Sequence, residues 1–504
     1  MSAPDPTLTA VDAPPTTDPR RWHALAVIAV AQLMIILDAS IVNLAIPSAQ
    51  ADLGISPANV QWVVTAYTLT FGGLLLLGGR IADYWGRRRT FLVGLLGFAF
   101  ASLLGGLATT QHLLFAARAL QGGFAAMLAP AALALISVTF HEPKERAKAF
   151  GVMGAIAGGG SAIGLLLGGV LTEYLSWRWC LAVNTPIAII TALFAVREIR
   201  ESRAPGDTTY DLPGALTATF GLVSLVYAFT RAAPHGYQDA AHWTAPSTLM
   251  WFALAAVLLV AFFVIESRSS HPLLPLRIIS ERNRGGAYLS ALITGAGMFA
   301  MFLFLGLYLQ VILQYSPVKA GFAFLPFSLG VILVAGISAN LLPKVGPRPL
   351  MVPGLVAGAC GMFWLTQLTP DSSYLTHVLP ALVVMSCGMA FVFIPTATVA
   401  LHAVGHHDAG VASAVINTSQ QVGGSLGTAV MNTVAVTATS SYLAANAALG
   451  DAALPAALTH GYTRGFALGG ALLLVAAVVV LLLIRIGPAA AAEDDEAPAA
   501  VHLA

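Results

Sequence analysis

The chain is 504 residues long, 57% hydrophobic and only 9% charged. A soluble domain carries about 25% charged residues, so this composition excludes one and points to a polytopic membrane protein. The formal net charge of +1 carries no information about partners, and Cys180, Cys360 and Cys387 lack the paired spacing of a disulfide or metal framework.

Residues 1–20, rich in Pro, Thr and Asp, read as a disordered tail. Fourteen stretches long and apolar enough to cross a bilayer as helices follow. They lie near 22–46, 60–82, 91–108, 113–138, 149–171, 180–196, 213–231, 248–266, 288–311, 321–342, 350–368, 378–400, 410–437 and 465–486. The first is too long for a signal-peptide core and reads as a retained anchor. An even count puts both ends on one side. Nineteen loop cations fall on that side and four on the other, with Arg118 inside a span. Loop cations concentrate in the cytoplasm, so both termini are expected there.

Asp38 is the one carboxylate well inside a span, and a charge at that depth costs roughly 2.5–3.5 kcal/mol on insertion scales. It must face a polar cavity, take a proton or ion, or pair with a cation. After span 2 comes GRIADYWGRRR. Gly79 and Gly86 permit close approach and a tight turn. Asp83 lies within reach of Arg87 or Arg88, or could face the positive N-terminus of a neighbouring helix such as span 13. In span 4, Arg118 is about as deep as Asp38: at 1.5 Å per residue both lie roughly 10–12 Å from the same membrane face. Equal depth permits pairing. Gln121 shares the face of Arg118. Span 5 carries Gly154, Gly158, Gly160, Gly164 and Gly168, a density suited to close backbone packing and to a helix that slides or bends.

Span 13 is the most polar, with Asn417, Gln420 and Gln421 among its amides, and Asp408 is placed to cap it. Spans 5 and 13 share Gly151/Gly410, Val152/Val411, Ala155/Ala414, Gly164/Gly423 and Gly168/Gly427 when laid together. Both start on the same side, so the repeat is parallel, a known transporter plan with the substrate site between the halves. The expected organisation is a tail over 1–21, a six-helix bundle over 22–200, inserted spans 7 and 8 with linkers over 201–283, a second bundle over 284–487 and an acidic tail over 488–504. Phosphate-cradling loops, nucleophile elbows and zinc-protease pairs are absent from the sequence, and the spacing of His402, His406 and His407 is a weak metal pattern. No enzyme, metal site or cofactor is expected.

These pieces together resemble the major facilitator superfamily and, within it, the fourteen-span drug:proton antiporters. LDASIVNLAIP (Leu37 to Pro47) is similar to that family's first-span motif, with Ser40 where Thr is usual. Gly79 to Arg89 resembles the superfamily's loop motif, and Arg118, Gln121 and Gly122 match its span 4 motif. HEPKERAKAFG, WRWCLAVNTPIA and YLQVILQYSPVKAG are similar to family segments. Ser161 and Leu165 stand where the antiporter motif of span 5 carries prolines.

The resemblance implies an all-α fold of two six-helix bundles with an extra central pair. It also implies export of amphipathic small molecules, such as a drug, antibiotic or natural product, in exchange for protons. The expected chain is a monomer driven by the proton motive force, with Asp38 and Arg118 as the coupling pair. The loop residues Gly79, Asp83, Gly86, Arg87 and Arg88 would gate it, and Asn43, Gln121, Tyr308, Gln310, Asn417, Gln420 and Gln421 are candidate substrate contacts. A proton-linked importer or passive facilitator on the same fold is the alternative. Spans 7 to 14 are read as holding no well-buried acid, which favours neutral, weakly charged or anionic substrates.

Overall fold

The computed structural model describes residues 20–140, 142–203, 210–234, 239, 241–270, 272–405 and 408–488. The expected tails up to Pro19 and from Ala489, and His406 and His407, lie outside the described residues. Among those described there are sixteen α-helices and no strand. They are α1 (Arg21–Leu53), α2 (Trp62–Trp85), α3 (Arg87–Gly106), α4 (Gln111–Thr139), α5 (Pro143–Tyr174), α6 (Trp179–Ala182), α7 (Asn184–Glu198) and α8 (Leu212–Ala232). Then come α9 (Pro246–Arg268), α10 (Leu276–Ser280), α11 (Arg282–Leu307), α12 (Pro317–Val345), α13 (Pro347–Leu365), α14 (Leu379–Leu401), α15 (Ala409–Ala445) and α16 (Leu454–Leu483).

Thirteen helical stretches among the described residues are long and apolar enough to cross a membrane. The fourteenth, α15, has 37 residues but carries too many hydroxyls and amides to meet the same apolar standard. The fourteen spans therefore stand, and two boundaries are corrected. The last span begins at Leu454 instead of 465. Thr459 and His460 interrupt the apolar run, but the Thr459 hydroxyl is returned to Pro455 O at 2.8 Å and the helix continues through it. Span 6 is preceded by the short α6, so its helical stretch starts at Trp179.

In one bundle α1, α3 and α4 pack with α2, α5 and α7; in the other α11, α13 and α16 pack with α12, α14 and α15. The α8–α9 hairpin lies against α2 and α15. The bundles meet through α5 on α12 and α2 on α15. The repeated glycines explain this shared frame. A Cβ on Gly164 would strike Ser40 and Leu37 of α1, and one on Gly168 would strike Ile41. Likewise Gly423 lies against Leu292 of α11, and Gly427 against Ala296. In each half, the same two glycines seat the fifth membrane helix on the first. With no proline inside α5, the helix runs through Ser161 and Leu165 without a break.

The face on which α1 begins and α16 ends, here the basic face, is organised differently from the opposite one. Toward the opposite face, α1 residues Ile41 to Ala49, together with Leu165 and Trp177, share one apolar core with the second bundle. Toward the basic face the first bundle has a core of its own. Hydrogen bonds between the bundles lie toward the opposite face, apart from Thr418 Oγ1, which donates to Gly72 O near the middle of α2 at 3.2 Å. Thr68 meets Ser425 at 2.6 Å, Asn432 donates to Pro57 O at 3.1 Å, and the Val318 N–H donates to Glu173 at 2.9 Å. Cβ atoms on Gly151 and Gly154 of α5, Gly336 of α12 and Gly410 of α15 would meet nothing within 4 Å. The halves lean together at the far face and part toward the basic face.

Candidate functional site

Five helices of the first bundle converge on Asp38. The carboxylate of α1 is 0% exposed, and Arg118 of α4 is 1% exposed. Arg118 Nη1 donates to Asp38 Oδ2 at 2.7 Å. Gln121 Nε2 donates to Asp38 Oδ1 at 2.7 Å, and Asn184 Nδ2 of α7 donates to the same oxygen at 2.8 Å. Arg118 and Gln121 stand three apart on α4, so one helix face presents both, and Arg118 Nη1 also donates to Gln121 Oε1 at 2.6 Å. Gln121 Nε2 reaches Ser102 Oγ of α3 at 2.7 Å. From α2, Val63 O accepts from Arg118 Nε at 3.0 Å, and the Tyr67 ring centroid lies 4.5 Å from the guanidinium carbon. A buried ion pair is costly unless its remaining donors and acceptors are met. Here both carboxylate oxygens are engaged, and the guanidinium has a carbonyl, an amide and an aromatic face as well.

Donors from Arg118, Gln121 and Asn184 meet both oxygens of the buried carboxylate, an arrangement that ties α1 to α4 and α7. Asn184, Ser102 and Tyr67 had no assigned role in the sequence. Asn184 lies within WRWCLAVNTPIA, and an asparagine deep in a span was the signal available; pairing with Asp38 depends on how α7 packs.

The loop motif forms a clamp. Asp83 Oδ1 accepts from Arg87 Nη2 at 2.9 Å. Arg88 N and Arg89 N, at the start of α3, donate to the Glu201 carboxylate at 3.1 and 3.2 Å. Gly86 has φ +127, and a Cβ on it would lie 2.8 Å from Glu201, so both its backbone and its neighbour demand glycine. Asp83 faces Arg87, and the N-terminal end of α15 is occupied otherwise. Asp408 stands at its N-cap position without capping it. Its carboxylate instead accepts from Arg277 at 2.6 and 2.9 Å, which corrects the expected cap. A Cβ on Gly79 would lie 3.7 Å from Pro130, an ordinary contact. In span 5, Cβ atoms on Gly160, Gly164 and Gly168 would strike α1, one on Gly158 would lie 3.7 Å from Ile332 of α12, and one on Gly154 would meet open space.

The candidate substrate contacts are not brought together. Gln121 is sealed inside the Asp38 network in this closed arrangement. Tyr308 is fully buried, in a π-helical turn following α11, and donates to Thr369 O at 2.6 Å. Its hydroxyl fixes a loop and does not face a cavity. Asn43 donates back to Ala39 O, Gln310 to Gly306 O and Asn417 to Ser413 O. Gln420 and Gln421 are half-buried, and the Gln421 Cβ lies where Gly72 gives it room. A separate cleft of about 330 Å³ lies between the bundles toward the far face, lined by Pro47, Gln50, Leu307, Asn432, Leu458 and Tyr462 among others. Pro47, Leu307 and Leu458 give it an apolar wall, and Gln50, Asn432 and Tyr462 supply polar handles, the mix that small-molecule sites use. The expected absence of a well-buried acid in spans 7 to 14 is also corrected: Glu266, at the end of α9, is 3% exposed.

Two parallel bundles, a polar cluster within one and a cleft between them define a secondary transporter, not an enzyme. The chain belongs to the major facilitator superfamily, whose family model matches residues 28–428. It is 51% identical over 461 residues to the puromycin resistance protein pur8 of Streptomyces alboniger, covering 90% of each chain. It is 42% identical to the cephamycin export protein CmcT of Amycolatopsis lactamdurans, covering 83% of this chain and 85% of that one. The fold is similar to that of the POT family transporter PepTSo, with a TM-score of 0.66 at 15% identity over 92% of this chain and 98% of that one.

Proposed function

We propose that the chain exports amphipathic, antibiotic-class small molecules across the cytoplasmic membrane in exchange for protons, with Asp38 as the proton-carrying group. The observation that carries this reading is the sealed Asp38 carboxylate with donors from Arg118, Gln121 and Asn184. Relatives named for resistance to or export of puromycin and cephamycin support the substrate class. Ionised Asp38 favours the closed network. A proton on it removes the charge that Arg118 holds, loosens α1 from α4 and α7, and favours the other state. Substrate and proton are coupled because each binds the two states differently.

The bias of loop cations supports cytoplasmic termini and makes the basic face cytoplasmic; the parted bundles then open toward the cytoplasm. Bundles over 22–200 and 284–487, separated by an inserted pair within 201–283, follow the same reading. The loop clamp at Gly79, Asp83, Gly86, Arg87 and Arg88 would set when the cytoplasmic side closes. The cleft lining includes no charged residue, which supports substrates whose bound part is neutral. Inverted vesicles with an imposed pH gradient test the assignment: Asp38→Asn abolishes uphill uptake of a transported antibiotic, and undiminished uphill uptake overturns it.

A further inference from the structure

A second pair of acids lies outside this network, at the root of the α8–α9 hairpin. Asp211 precedes α8 and Glu266 ends α9; they are 8% and 3% exposed. One oxygen of each is accounted for. Asp211 Oδ1 accepts from Gly214 N at 2.9 Å, capping α8, and Glu266 Oε2 accepts from Leu274 N at 3.0 Å. Among the described residues the other two, Asp211 Oδ2 and Glu266 Oε1, are buried with no hydrogen bond of their own, while the Leu273 N–H joins that of Leu274 in favouring the Glu266 carboxylate. Both lie 2.9 Å from the point that a Cβ on Gly214 would occupy. They are therefore less than about 6 Å apart, a range at which like charges strongly disfavour double ionisation.

Leu77 of α2, Ala215 of α8 and Leu273 of the following segment cluster together at this root. The facing cation is Arg80 of α2, whose field reaches Glu266 but whose guanidinium donates to Tyr84 Oη at 2.8 Å and Pro272 O at 3.4 Å. The segment from Pro272 to Pro275 contains no charged residue. Two buried carboxylates, each with an orphaned oxygen turned to the same small space, need an occupant that satisfies both. A hard metal cation collects about six oxygens, and only two are left over here. One proton on either acid removes one of the two charges and supplies an O–H that can be turned toward the other carboxylate.

We propose that Asp211 and Glu266 share one bound proton, making a second protonation site at the root of the inserted hairpin, separate from Asp38. With the proton in place the hairpin root stays closed on the Leu273–Leu274 segment and on α2, the helix that carries Gly79 and Asp83. Its loss to the solvent at the basic face leaves two negative charges under apolar cover and loosens that contact. The site thus senses pH on the basic face and reports it to the helix that leads into the loop clamp.

Infrared difference spectroscopy on the full chain in lipid nanodiscs, titrated with pH, tests this. The wild-type protein should show a protonated-carboxyl C=O band, shifted in D2O, that disappears on alkalinisation. In Glu266→Gln and in Asp211→Asn the new amide can donate to the remaining carboxylate, so the band should be lost in both. It should survive in Asp38→Asn, which makes the result independent of the role of Asp38. The proposal is overturned if the wild type shows no such band, if the band persists in Glu266→Gln, or if sodium or potassium at fixed pH abolishes it, which would make the occupant a metal ion.

Discussion

The two bundles share a frame and differ in charge. Gly164 and Gly168 seat α5 on Leu37, Ser40 and Ile41, and Gly423 and Gly427 seat α15 on Leu292 and Ala296. Matching these contacts sets Ile293 of α11 opposite Asp38 of α1. Ile293 belongs to an apolar core, where Asp38 has three donors. The same helix geometry thus supports an ionic centre in one half and hydrocarbon in the other. Bundle architecture is set by small residues at helix crossings, while the presence of an ionic centre is set by which polar side chains converge.

The largest effect should come from exchanging the two centres. Asp38→Ile combined with Ile293→Asp should abolish gradient-driven transport, because residue 293 lies in an apolar core. It should also destabilise both halves, the first by about 3–5 kcal/mol from an Arg118 left buried without its partner. Uptake in inverted vesicles and thermal unfolding in one detergent check the two parts. Next, Gly423→Ala should cost up to about 3 kcal/mol, because its Cβ meets the Leu292 backbone carbonyl, and Gly164→Ala less, because the Ser40 hydroxyl it meets can turn aside. Gly154→Ala, which meets nothing, should unfold no earlier than the wild type. Equal losses at 164 and 423 would break the proposed difference between the halves.

Asn184→Leu removes one of the three donors to Asp38 and leaves the carboxylate less well held. Uphill uptake in inverted vesicles should fall, though by less than in Asp38→Asn; an unchanged rate would show that the Asn184 contact is dispensable. The smallest effect concerns how the first helix of each half is tied down. On α1, Arg21 pairs with Glu145 at 2.8 Å, a contact to another helix. On α11, Glu281 caps locally, accepting from Asn283 N at 3.0 Å and Arg284 N at 2.8 Å. Burial raises the Glu281 carboxyl, but those amide donors outweigh it and hold it below the ordinary glutamate value. Its contribution is therefore present above the unfolded glutamate range and lost as pH falls through the lowered folded value. Glu281→Ala should cost about 1 kcal/mol at neutral pH, with the difference from wild type shrinking in acid, read by thermal unfolding.

Periodic apolar runs and loop cations made the fourteen spans legible, since lipid enforces both. Asp38 and Arg118 could be matched by depth because helix rise is fixed. Asn184 and Ser102 could not, because rotation of α3 and α7 about their axes leaves no trace in a span apolar all round. Glu266 was misjudged for a related reason. A glutamate in the last turn of a span reads as solvent-facing, and only the fold of Leu273 and Leu274 back over it puts it out of water. Tyr308 looked like a cavity aromatic, but the π-helical turn after α11 directs its hydroxyl to Thr369 O.

The closed pairing of Asp38 with Arg118 has an electrical consequence. With +1 and −1 held 2.7 Å apart, the unprotonated centre is neutral as a unit, and the membrane voltage does no net work on it as the bundles rock. If Asp38 carries the proton as proposed, its protonation would leave the unit with the single positive charge of Arg118, on which a full crossing of the field exerts about 2.3 kcal/mol per 100 mV. On that proposal, with the basic face cytoplasmic, a voltage negative inside would act on the protonated form alone and favour inward delivery of the proton.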